Sequence, residues 1–302
     1  MSDLSGTDAD ADAGDNKDGG AGAGARDRTF LVTGANTGIG RATATALAAD
    51  GGRVYITSRS AEAGAAAVDA IKSATGSQTV WLLPLDLASL ASVRDCAAAF
   101  LARDEPLHVL VNNAGVGGQR GKTAEGFELH FGVNHLGHFA LTMLLLDRLK
   151  ASGPDTAPGA RVVTLASDSH YNAPGVDFDA VRRQTSFTGQ REYAVSKLCN
   201  VLFTQEVARR VADVSSYAVH PGVVASDIWR RVPWRARALM MRRMLTVEQG
   251  AVAPVYCATS PAVAAESGLF YDKCAVRAPS QVATPELGEL LWKHSTGWTG
   301  LG

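Results

Sequence analysis

Tyr193 and Lys197 stand four residues apart in a stretch whose pattern predicts a helix, and their types could carry proton chemistry. Residues with this spacing lie on one face of a helix, so the phenol and the ammonium are expected to be neighbours. A free tyrosine titrates near pH ~10 and exchanges protons poorly at neutrality. A fixed positive charge favours the phenolate, and we therefore expect Lys197 to lower the pKa of Tyr193 and to make general acid–base chemistry feasible.

A glycine-rich segment follows the first predicted strand. Residues 33–40 read Thr-Gly-Ala-Asn-Thr-Gly-Ile-Gly, with glycines at positions 34, 38 and 40. Such a turn between a strand and a helix lets phosphate oxygens approach the backbone, and the helix N-terminus offers unpaired amides. The spacing differs from the G-x-G-x-x-G fingerprint, but its place before a predicted helix favours a dinucleotide site over an ordinary turn.

The end of the second predicted strand reads Thr57-Ser58-Arg59 and indicates which dinucleotide is bound. An acidic residue at this place would accept hydrogen bonds from the adenosine ribose and repel a 2′-phosphate. No acid stands here, and the planar fork of Arg59 suits a phosphate, with Arg41 as an assisting group. The sequence therefore predicts NADP(H) in preference to NAD(H).

Short β-branched runs alternate with longer alanine- and leucine-rich periodic runs from residue 29 onward. Strands of this kind, separated by helices, predict a doubly wound Rossmann-type α/β fold with a parallel seven-stranded sheet in a single domain. Pro254 falls inside the last predicted helix and predicts a kink or a shorter helix there. The predicted strands are 29–34, 53–58, 79–86, 108–112, 161–167, 216–220 and 269–272, and the predicted helices are 39–50, 61–74, 89–103, 123–150, 193–212 and 246–259.

Composition narrows the class of protein. Residues 1–27 are rich in Asp, Gly and Ala and are expected to be a disordered tail, followed by one domain at 28–302. A net charge of −1 gives no nucleic-acid footprint. The four cysteines are widely separated, and no apolar run approaches a membrane span, so a cytoplasmic protein without an integral membrane segment is expected.

Seven motifs stand in an order that resembles the short-chain dehydrogenase/reductase superfamily over residues 29–272. The stretches 133–150 and 193–210 are most similar to its retinol-dehydrogenase-like and WW-domain-oxidoreductase-like branch. The motifs are residues 33–40, Asp86-Leu87, residues 112–115 (Asn-Asn-Ala-Gly), Asn134, Ser167, residues 193–197 (Tyr-Ala-Val-Ser-Lys) and residues 220–222 (His-Pro-Gly).

The resemblance implies a role for each matching position. Asn134 would hold a water of a proton relay, and Ser167 would hydrogen-bond the substrate oxygen. Tyr193 would exchange the proton, while Lys197 would hold the nicotinamide ribose. The expected cofactor-binding residues are Gly34, Asn36, Thr37, Gly38, Ile39, Gly40, Arg41, Arg59, Asp86, Leu87, Asn112, Ala114, Gly115, Tyr193, Lys197, Pro221, Gly222, Val223 and Ser226.

These observations predict an NADP(H)-dependent oxidoreductase that interconverts an alcohol and a carbonyl on a small apolar molecule. The alternative is a non-catalytic NADP(H)-binding regulatory protein that senses redox state, but such a protein would be expected to lack the tyrosine or the lysine. Members of the superfamily commonly pair through the helices that correspond to 123–150 and 193–212, which implies that a homodimer can form.

Two further features are weighed against plainer explanations. His130, His135 and His138 lie close together in sequence, but no carboxylate or cysteine cluster joins them, so we interpret them as packing or surface residues and expect no metal. Residues 226–245 mix tryptophan, methionine and arginine. They are consistent with a lid over an apolar pocket, a membrane-surface segment or a solvated surface helix.

Overall fold

The computed structural model describes residues 24–153, 159–183, 185–224 and 244–301. Most of the predicted N-terminal tail and most of residues 226–245 therefore lie outside the described residues, and the expected domain boundary at residue 28 stays a prediction. The described strands are β1 Thr29–Val32, β2 Arg53–Ser58, β3 Val80–Pro84, β4 Val109–Asn112, β5 Ala160–Leu165, β6 Val214–His220, β7 Leu269–Asp272 and β8 Ala275–Val276.

These strands form one sheet in the order β3-β2-β1-β4-β5-β6-β7-β8. Strands β1 to β7 run parallel, and β8 pairs antiparallel with β7. The predicted doubly wound α/β fold with seven parallel strands is confirmed, and β8 is an addition at the edge. The sequence did not predict β8 because a strand of two residues has no readable periodicity.

Helices cover both faces of the sheet. No helix within the described ranges is long and apolar enough to cross a membrane. The helices are α1 Gly38–Ala49, α2 Ala61–Thr75, α3 Leu90–Leu101, a π-helix at Phe131–Leu136 that continues into α4 Gly137–Ser152, α5 Gln190–Arg210, α6 Val247–Thr259 and α7 Pro285–Thr299, with short 3-10 helices at Asp168–Asn172, Ala180–Arg182 and Pro261–Val263.

The predicted helix 123–150 begins late, at Phe131. The preceding residues form a turn. In this turn the Thr123 amide donates to the Phe127 carbonyl, and the backbones of Lys122 and Glu128 form an isolated antiparallel β-bridge. A tertiary pairing therefore takes these residues out of the helix. By contrast, α6 runs through Pro254 and is not shortened, and Thr246 and Gln249 form a capping box at its N-terminus.

The sequence prediction missed α7, although its N-terminus carries a readable signal. The Thr284 side chain accepts a hydrogen bond from the Leu287 amide, and Pro285 occupies the first turn. The helix packs on α5 and buries Leu291. Its Trp292 ring lies 5.1 Å from Phe139 of α4 and 6.2 Å from Phe203 of α5.

The strand order fixes where a ligand can bind. The chain moves from β1 through β2 to β3 on one side and returns to build β4 on the other side of β1. In a parallel sheet such a reversal leaves a crevice at the carboxyl ends of the strands, because the adjacent connections leave in opposite directions. The residues after β1, β4, β5 and β6 meet at this crevice.

Candidate active site

A cleft with a volume of about 380 Å³ opens at the carboxyl ends of the strands. It extends from Arg59 after β2, along the glycine-rich turn, to Tyr193, Lys197 and Pro221. The residues expected to bind cofactor that line it are Gly34, Asn36, Thr37, Gly38, Ile39, Gly40, Arg59, Asp86, Leu87, Ala114, Gly115, Tyr193, Lys197 and Pro221. The lining residues that sequence reasoning missed are Thr57, Ser58, Leu85, Asn113, Val116, Gly117, Gln119, Val133, Leu165 and Ala166.

Two glycines of the turn are required by close packing. Gly34 has φ +63°, and a Cβ there would lie 2.7 Å from the Cβ of Ala114. A Cβ on Gly40 would lie 2.3 Å from Nδ2 of Asn113 and 2.8 Å from the Gly34 carbonyl oxygen. The turn can therefore fold this tightly against the residues after β4 only without side chains at these positions.

The N-terminus of α1 opens into the cleft without a side-chain cap. Thr37 occupies the capping position but makes no capping hydrogen bond, and the first helical bond runs from the Arg41 amide to the Thr37 carbonyl. Side chains cap α2, α3, α6 and α7. The amides of the first turn of α1 thus face the cleft, and together with the glycine turn they suit the phosphates of a dinucleotide.

Thr33 links the glycine turn to the segment after β4. Its Oγ1 accepts hydrogen bonds from the amides of Asn113 and Ala114, both at 2.9 Å. Nδ2 of Asn113 donates to the Thr33 carbonyl at 2.7 Å. Oγ1 of Thr33 also lies 2.9 Å from Nε2 of His138. These bonds hold the two loops that form the floor of the cleft in one arrangement.

Asn112 does not line the cleft. Its side chain is 1% exposed, and Nδ2 donates to Oγ1 of Thr142 at 3.1 Å, between β4 and α4. The neighbouring Asn113 reaches the cleft instead. Successive side chains along extended backbone point to opposite faces, so only one of the two asparagines can face the cofactor. The double asparagine in the sequence did not show which one.

Tyr193 and Lys197 are neighbours one turn apart on α5, and both line the cleft. Nζ of Lys197 lies 5.6 Å from the centre of the Tyr193 ring and donates a hydrogen bond to the Leu165 carbonyl at 2.8 Å. Burial of the ammonium lowers the pKa of Lys197 to about 8. The carbonyl at the end of β5 therefore holds the lysine in place beside the phenol.

The pKa of Tyr193 is raised, which contradicts the expectation that Lys197 would lower it. Burial of the phenol is the main cause, and a hydrogen bond with the Ser167 hydroxyl acts weakly in the opposite direction. The ammonium lies over the ring and is itself poorly solvated, so its charge does little to stabilise the phenolate. The raised pKa favours the neutral, protonated phenol.

Ser167 follows the end of β5 and stands beside Tyr193. Its backbone is extended, and its Oγ caps the short helix Asp168–Asn172 by accepting from the Ser169 amide at 3.2 Å. The same hydroxyl contacts Oγ of Ser169 at 3.2 Å. Ser167 thus stands next to the phenol, although it is not among the residues that line the cleft.

Asn134 lies in the π-helix, where the backbone is wider than in an α-helix and where functional residues are often found. Its Nδ2 donates to Oγ of Ser196 at 2.9 Å and to the Val116 carbonyl at 3.1 Å, while Oδ1 accepts from the Val116 amide at 2.8 Å. A Cβ on Gly115 would lie 3.3 Å from this Oδ1 and 3.8 Å from Nζ of Lys197. The Asn134 side chain therefore braces the cleft wall beside the lysine.

The other predicted cofactor residues differ in their positions relative to the cleft. Arg59 is exposed at the cleft rim, and it has no ion-pair partner within the described parts of the chain. Arg41 lies outside the lining and interacts electrostatically with Glu248. Gly222, at φ +87°, and the exposed Val223 follow Pro221 but do not line the cleft, and Ser226 lies outside the described residues.

His130, His135 and His138 are all buried, so the interpretation as packing residues is confirmed and a surface position is excluded. Nδ1 of His130 contacts Glu128 at 2.9 Å, and Nε2 of His135 contacts Oγ of Ser295 at 3.0 Å. Nδ1 of His138 contacts the Asn134 carbonyl at 3.1 Å, while its Nε2 contacts Thr33. Burial lowers the pKa of His138 to about 4, so the ring is neutral and joins the glycine turn to Asn134.

The sequence matches the family model described as short chain dehydrogenase over residues 28–235. It is 40% identical to human retinol dehydrogenase 11 over 283 residues, which covers 91% of this chain and 86% of the relative. It is 41% identical to human retinol dehydrogenase 12 over 255 residues, covering 82% and 78% of the two chains. Bovine dehydrogenase/reductase SDR family member 13 is 40% identical, with 91% of this chain and 74% of the relative covered.

Solved structures give the same result for the fold. A crystal structure of a protein from Mycobacterium paratuberculosis aligns with a TM-score of 0.73 at 30% identity, covering 91% of this chain and 94% of that one. A structure described as the Pseudomonas aeruginosa RhlG/NADP active-site complex aligns with a TM-score of 0.66 at 26% identity, covering 86% and 97%.

Proposed function

The chain belongs to the short-chain dehydrogenase family, in its retinol-dehydrogenase-like branch, and we propose that it is an NADP(H)-dependent enzyme that interconverts an alcohol and a carbonyl on a small apolar molecule. Family membership makes it an oxidoreductase of a nicotinamide cofactor. The preference for NADP(H), the proton transfer by Tyr193 and the apolar substrate are the proposed parts.

The observation that supports catalysis best is the grouping of Ser167, Tyr193 and Lys197 beside the cleft. The phenol contacts the Ser167 hydroxyl, and the ammonium lies over the phenol ring. A non-catalytic nucleotide sensor has no need for this grouping. The regulatory alternative is therefore the weaker one, and it predicts NADPH binding without turnover of any carbonyl.

The bound nicotinamide would supply or accept the hydride at the carbon of the carbonyl or alcohol. In the direction of reduction, the substrate oxygen gains negative charge as the new carbon–hydrogen bond forms, and hydroxyl donors stabilise that charge. The neutral Tyr193 donates the proton that completes the alcohol, and Ser167 donates a hydrogen bond to the same oxygen. Lys197 would hydrogen-bond the nicotinamide ribose.

Arg59 supports the preference for NADP(H). The guanidinium is exposed at the rim and has no ion pair within the described residues, so a phosphate would not have to displace an existing partner. Residues 57–59 contain no acid that would repel a 2′-phosphate. The related RhlG structure is described as an NADP complex.

The names of the similar proteins support an apolar alcohol or aldehyde as the substrate class. Two of the relatives are named as retinol dehydrogenases. A panel of long-chain, isoprenoid and steroid carbonyls, followed by NADPH absorbance, would identify the class, and a parallel series with NADH would measure the cofactor preference.

Replacing Tyr193 by phenylalanine tests the reaction. We expect turnover to fall roughly 10²- to 10⁴-fold, the range typical for loss of a general acid, because Phe retains the ring but has no proton to donate. NADPH binding, followed by fluorescence, should be unchanged. Tyr256→Phe is the matched control, since Tyr256 is partly buried in α6 and away from the cleft. Substantial activity of Tyr193→Phe would refute the proton-transfer role.

The resemblance implies a homodimer that pairs through α4 and α5, but α7 packs against both of these helices. Trp292 of α7 packs between the two helices, and Trp298 packs on Phe127 and Phe131. We therefore propose that α7 occupies the surface through which α4 and α5 would pair. Light scattering of the intact chain should give the monomer mass, and a dimer lost on mutation of exposed α4 residues would contradict this.

A further inference from the structure

His170 is a buried residue close to Ser167 for which the proposed reaction so far gives no role. It lies in the short helix Asp168–Asn172 and is 0% exposed. Its Nδ1 lies 2.7 Å from the carbonyl oxygen of Ser167, and the amide of Ser280 donates to its Nε2 at 3.1 Å. The imidazole therefore joins Ser167 to a segment more than one hundred residues later in the chain.

The two partners determine the protonation of the ring. The Ser280 amide can only donate, so Nε2 must present its lone pair. The Ser167 carbonyl can only accept, so Nδ1 must carry the proton and donate. Only the neutral tautomer with hydrogen on Nδ1 satisfies both contacts, and burial lowers the pKa of His170 in the same sense.

Residues 277–280, here called the C-terminal strap, make three hydrogen-bonded contacts with the short helix Asp168–Asn172. Arg277 lies 3.3 Å from the Asp168 carboxylate, and the Tyr171 hydroxyl donates to the Ala278 carbonyl at 2.5 Å. Only the third contact, Ser280 with His170, continues directly to the backbone of Ser167. The strap leaves the edge of the sheet after β8, so its position is set by the β7–β8 pairing.

Aromatic packing fixes the plane of the imidazole. The His170 ring lies 4.0 Å from the Tyr171 ring and 4.7 Å from the Phe270 ring, measured between centres. Phe270 belongs to β7, which is part of the rigid sheet. The ring is thus held from the side as well as through both nitrogens.

We propose that His170 is a positioning residue for the dehydrogenase reaction. Its Nδ1–H fixes the carbonyl of Ser167 and thereby aims the Ser167 hydroxyl at Tyr193 and the substrate oxygen. The strap amide that donates to Nε2 keeps the ring in the tautomer that makes Nδ1 the donor. This role rests on the proposed function, because it acts through Ser167.

Acid should disturb this contact. The charged and titratable groups that face His170 are Asp168, whose charge favours protonation, and Arg277 and His220, which oppose it. A proton on Nε2 would set two donors against each other at the Ser280 amide. The two hydrogen bonds of the His170 ring, here called the clamp, should therefore be disturbed at acidic pH. The pH profile of kcat should then fall on its acid side, and this fall should disappear when His170 is replaced.

A pair of substitutions separates the two contacts of the ring. His170→Asn keeps a donor near the position of Nδ1 and has no atom at Nε2, so it retains the Ser167 contact and loses the strap. His170→Gln reaches the position of Nε2 and loses the Ser167 contact. His294→Gln is the control, since His294 is half-buried in α7 and stacks on Phe178.

We expect kcat of His170→Gln to fall roughly 10- to 100-fold, as for a misplaced reacting group, with KM for NADPH unchanged. His170→Asn should retain most of kcat and lose the fall on the acid side, and His294→Gln should match the wild type. An equal loss of kcat in the Asn and Gln variants would show that His170 is only a packing residue and would overturn the proposal. An unchanged kcat in His170→Gln would overturn it as well.

Imidazole ¹⁵N NMR of the intact protein tests the same claim without turnover and without a variant that has to fold. A neutral ring protonated on Nδ1 is expected, and a ring protonated on Nε2 would overturn the proposal. If the wild type reduced no carbonyl while the NMR showed the Nδ1 tautomer, the proposed function would be refuted. The two hydrogen bonds of the His170 ring would still be supported. Full activity of His170→Gln in an enzyme that depends on Tyr193 would refute the clamp alone.

Discussion

Arg59 stands at the rim of the cleft after β2, and its replacement by alanine should weaken NADPH binding while leaving NADH binding nearly unchanged. The guanidinium is exposed and has no ion-pair partner among the described residues. The substitution would therefore remove the proposed contact with the 2′-phosphate and break no ion pair among the described residues.

The size of the effect follows from the exposure of the site. A hydrogen bond to a charged group contributes about 1.5–3 kcal/mol. Two unit charges 4 Å apart attract by about 1 kcal/mol in water and about 4 kcal/mol at an effective dielectric constant of 20. Because Arg59 is exposed, solvent screening favours the lower part of these ranges, about 1–2 kcal/mol, or roughly a 5- to 30-fold rise in KM for NADPH.

The assay compares KM for NADPH and NADH in the wild type, Arg59→Ala and Arg59→Asp at low and at high salt. The aspartate should reverse the preference, because it repels the 2′-phosphate and can accept from the ribose hydroxyls. The NADPH effect should shrink as salt is added. Arg26→Ala is the matched control, since Arg26 is an exposed arginine just before β1, at the opposite end of the sheet. Parallel changes for both cofactors, or a wild type that prefers NADH, would refute the reasoning.

Three further outcomes are expected. Gly40→Ala should lower the free energy of unfolding by about 1–3 kcal/mol and weaken cofactor binding, because the new Cβ would lie 2.3 Å from Nδ2 of Asn113. Gly297→Ala meets no atom within 4 Å and should stabilise α7 by up to about 1 kcal/mol in the same denaturant titration; similar results for both variants would contradict the packing argument. Trp292→Ala should destabilise the fold by about 2–4 kcal/mol in urea unfolding, because its ring fills the space between α4 and α5; a loss well below 1 kcal/mol would show that α7 is loosely attached. Burial lowers the pKa of His138 to about 4, against about 6.5 in the unfolded chain, so the unfolded chain binds more protons between these values. Stability should therefore be fully present above about pH 6.5 and decline as the pH falls towards 4, and a flat profile of unfolding free energy against pH would contradict a buried neutral histidine.

The fold could be predicted from the sequence because its signals are local. Continuous apolar strands alternate with periodic helices, and this pattern alone indicates a parallel sheet covered on both faces. Short or tertiary elements escaped prediction. A strand of two residues such as β8 is too short to show an alternation of apolar and polar residues. The start of the π-helix that leads into α4 depends on the β-bridge between Lys122 and Glu128. The helix α7 was missed, although Thr284 and Pro285 mark its beginning.

The site divides in the same way. The sequence was sufficient to predict the Tyr193 and Lys197 pair, the glycine turn and the place of Arg59, because each depends on a few consecutive residues. The choice between Asn112 and Asn113 was not readable, since it depends on which way the backbone turns after β4. The three histidines were readable as packing residues, but the partners of His138 were not.

The sequence by itself determined the alternation of strands and helices, the types of the candidate reacting groups and the absence of an acid after β2. Tertiary structure alone decided the electrostatics of those groups. Spacing correctly made Tyr193 and Lys197 neighbours, yet the pKa of the phenol is raised, because burial opposes the phenolate more strongly than the desolvated ammonium favours it. Tertiary structure likewise decided the contact of His170 with Ser280, residues distant in sequence. Solvation and long-range contacts depend on which segments the fold brings together, and no local pattern in the chain encodes them.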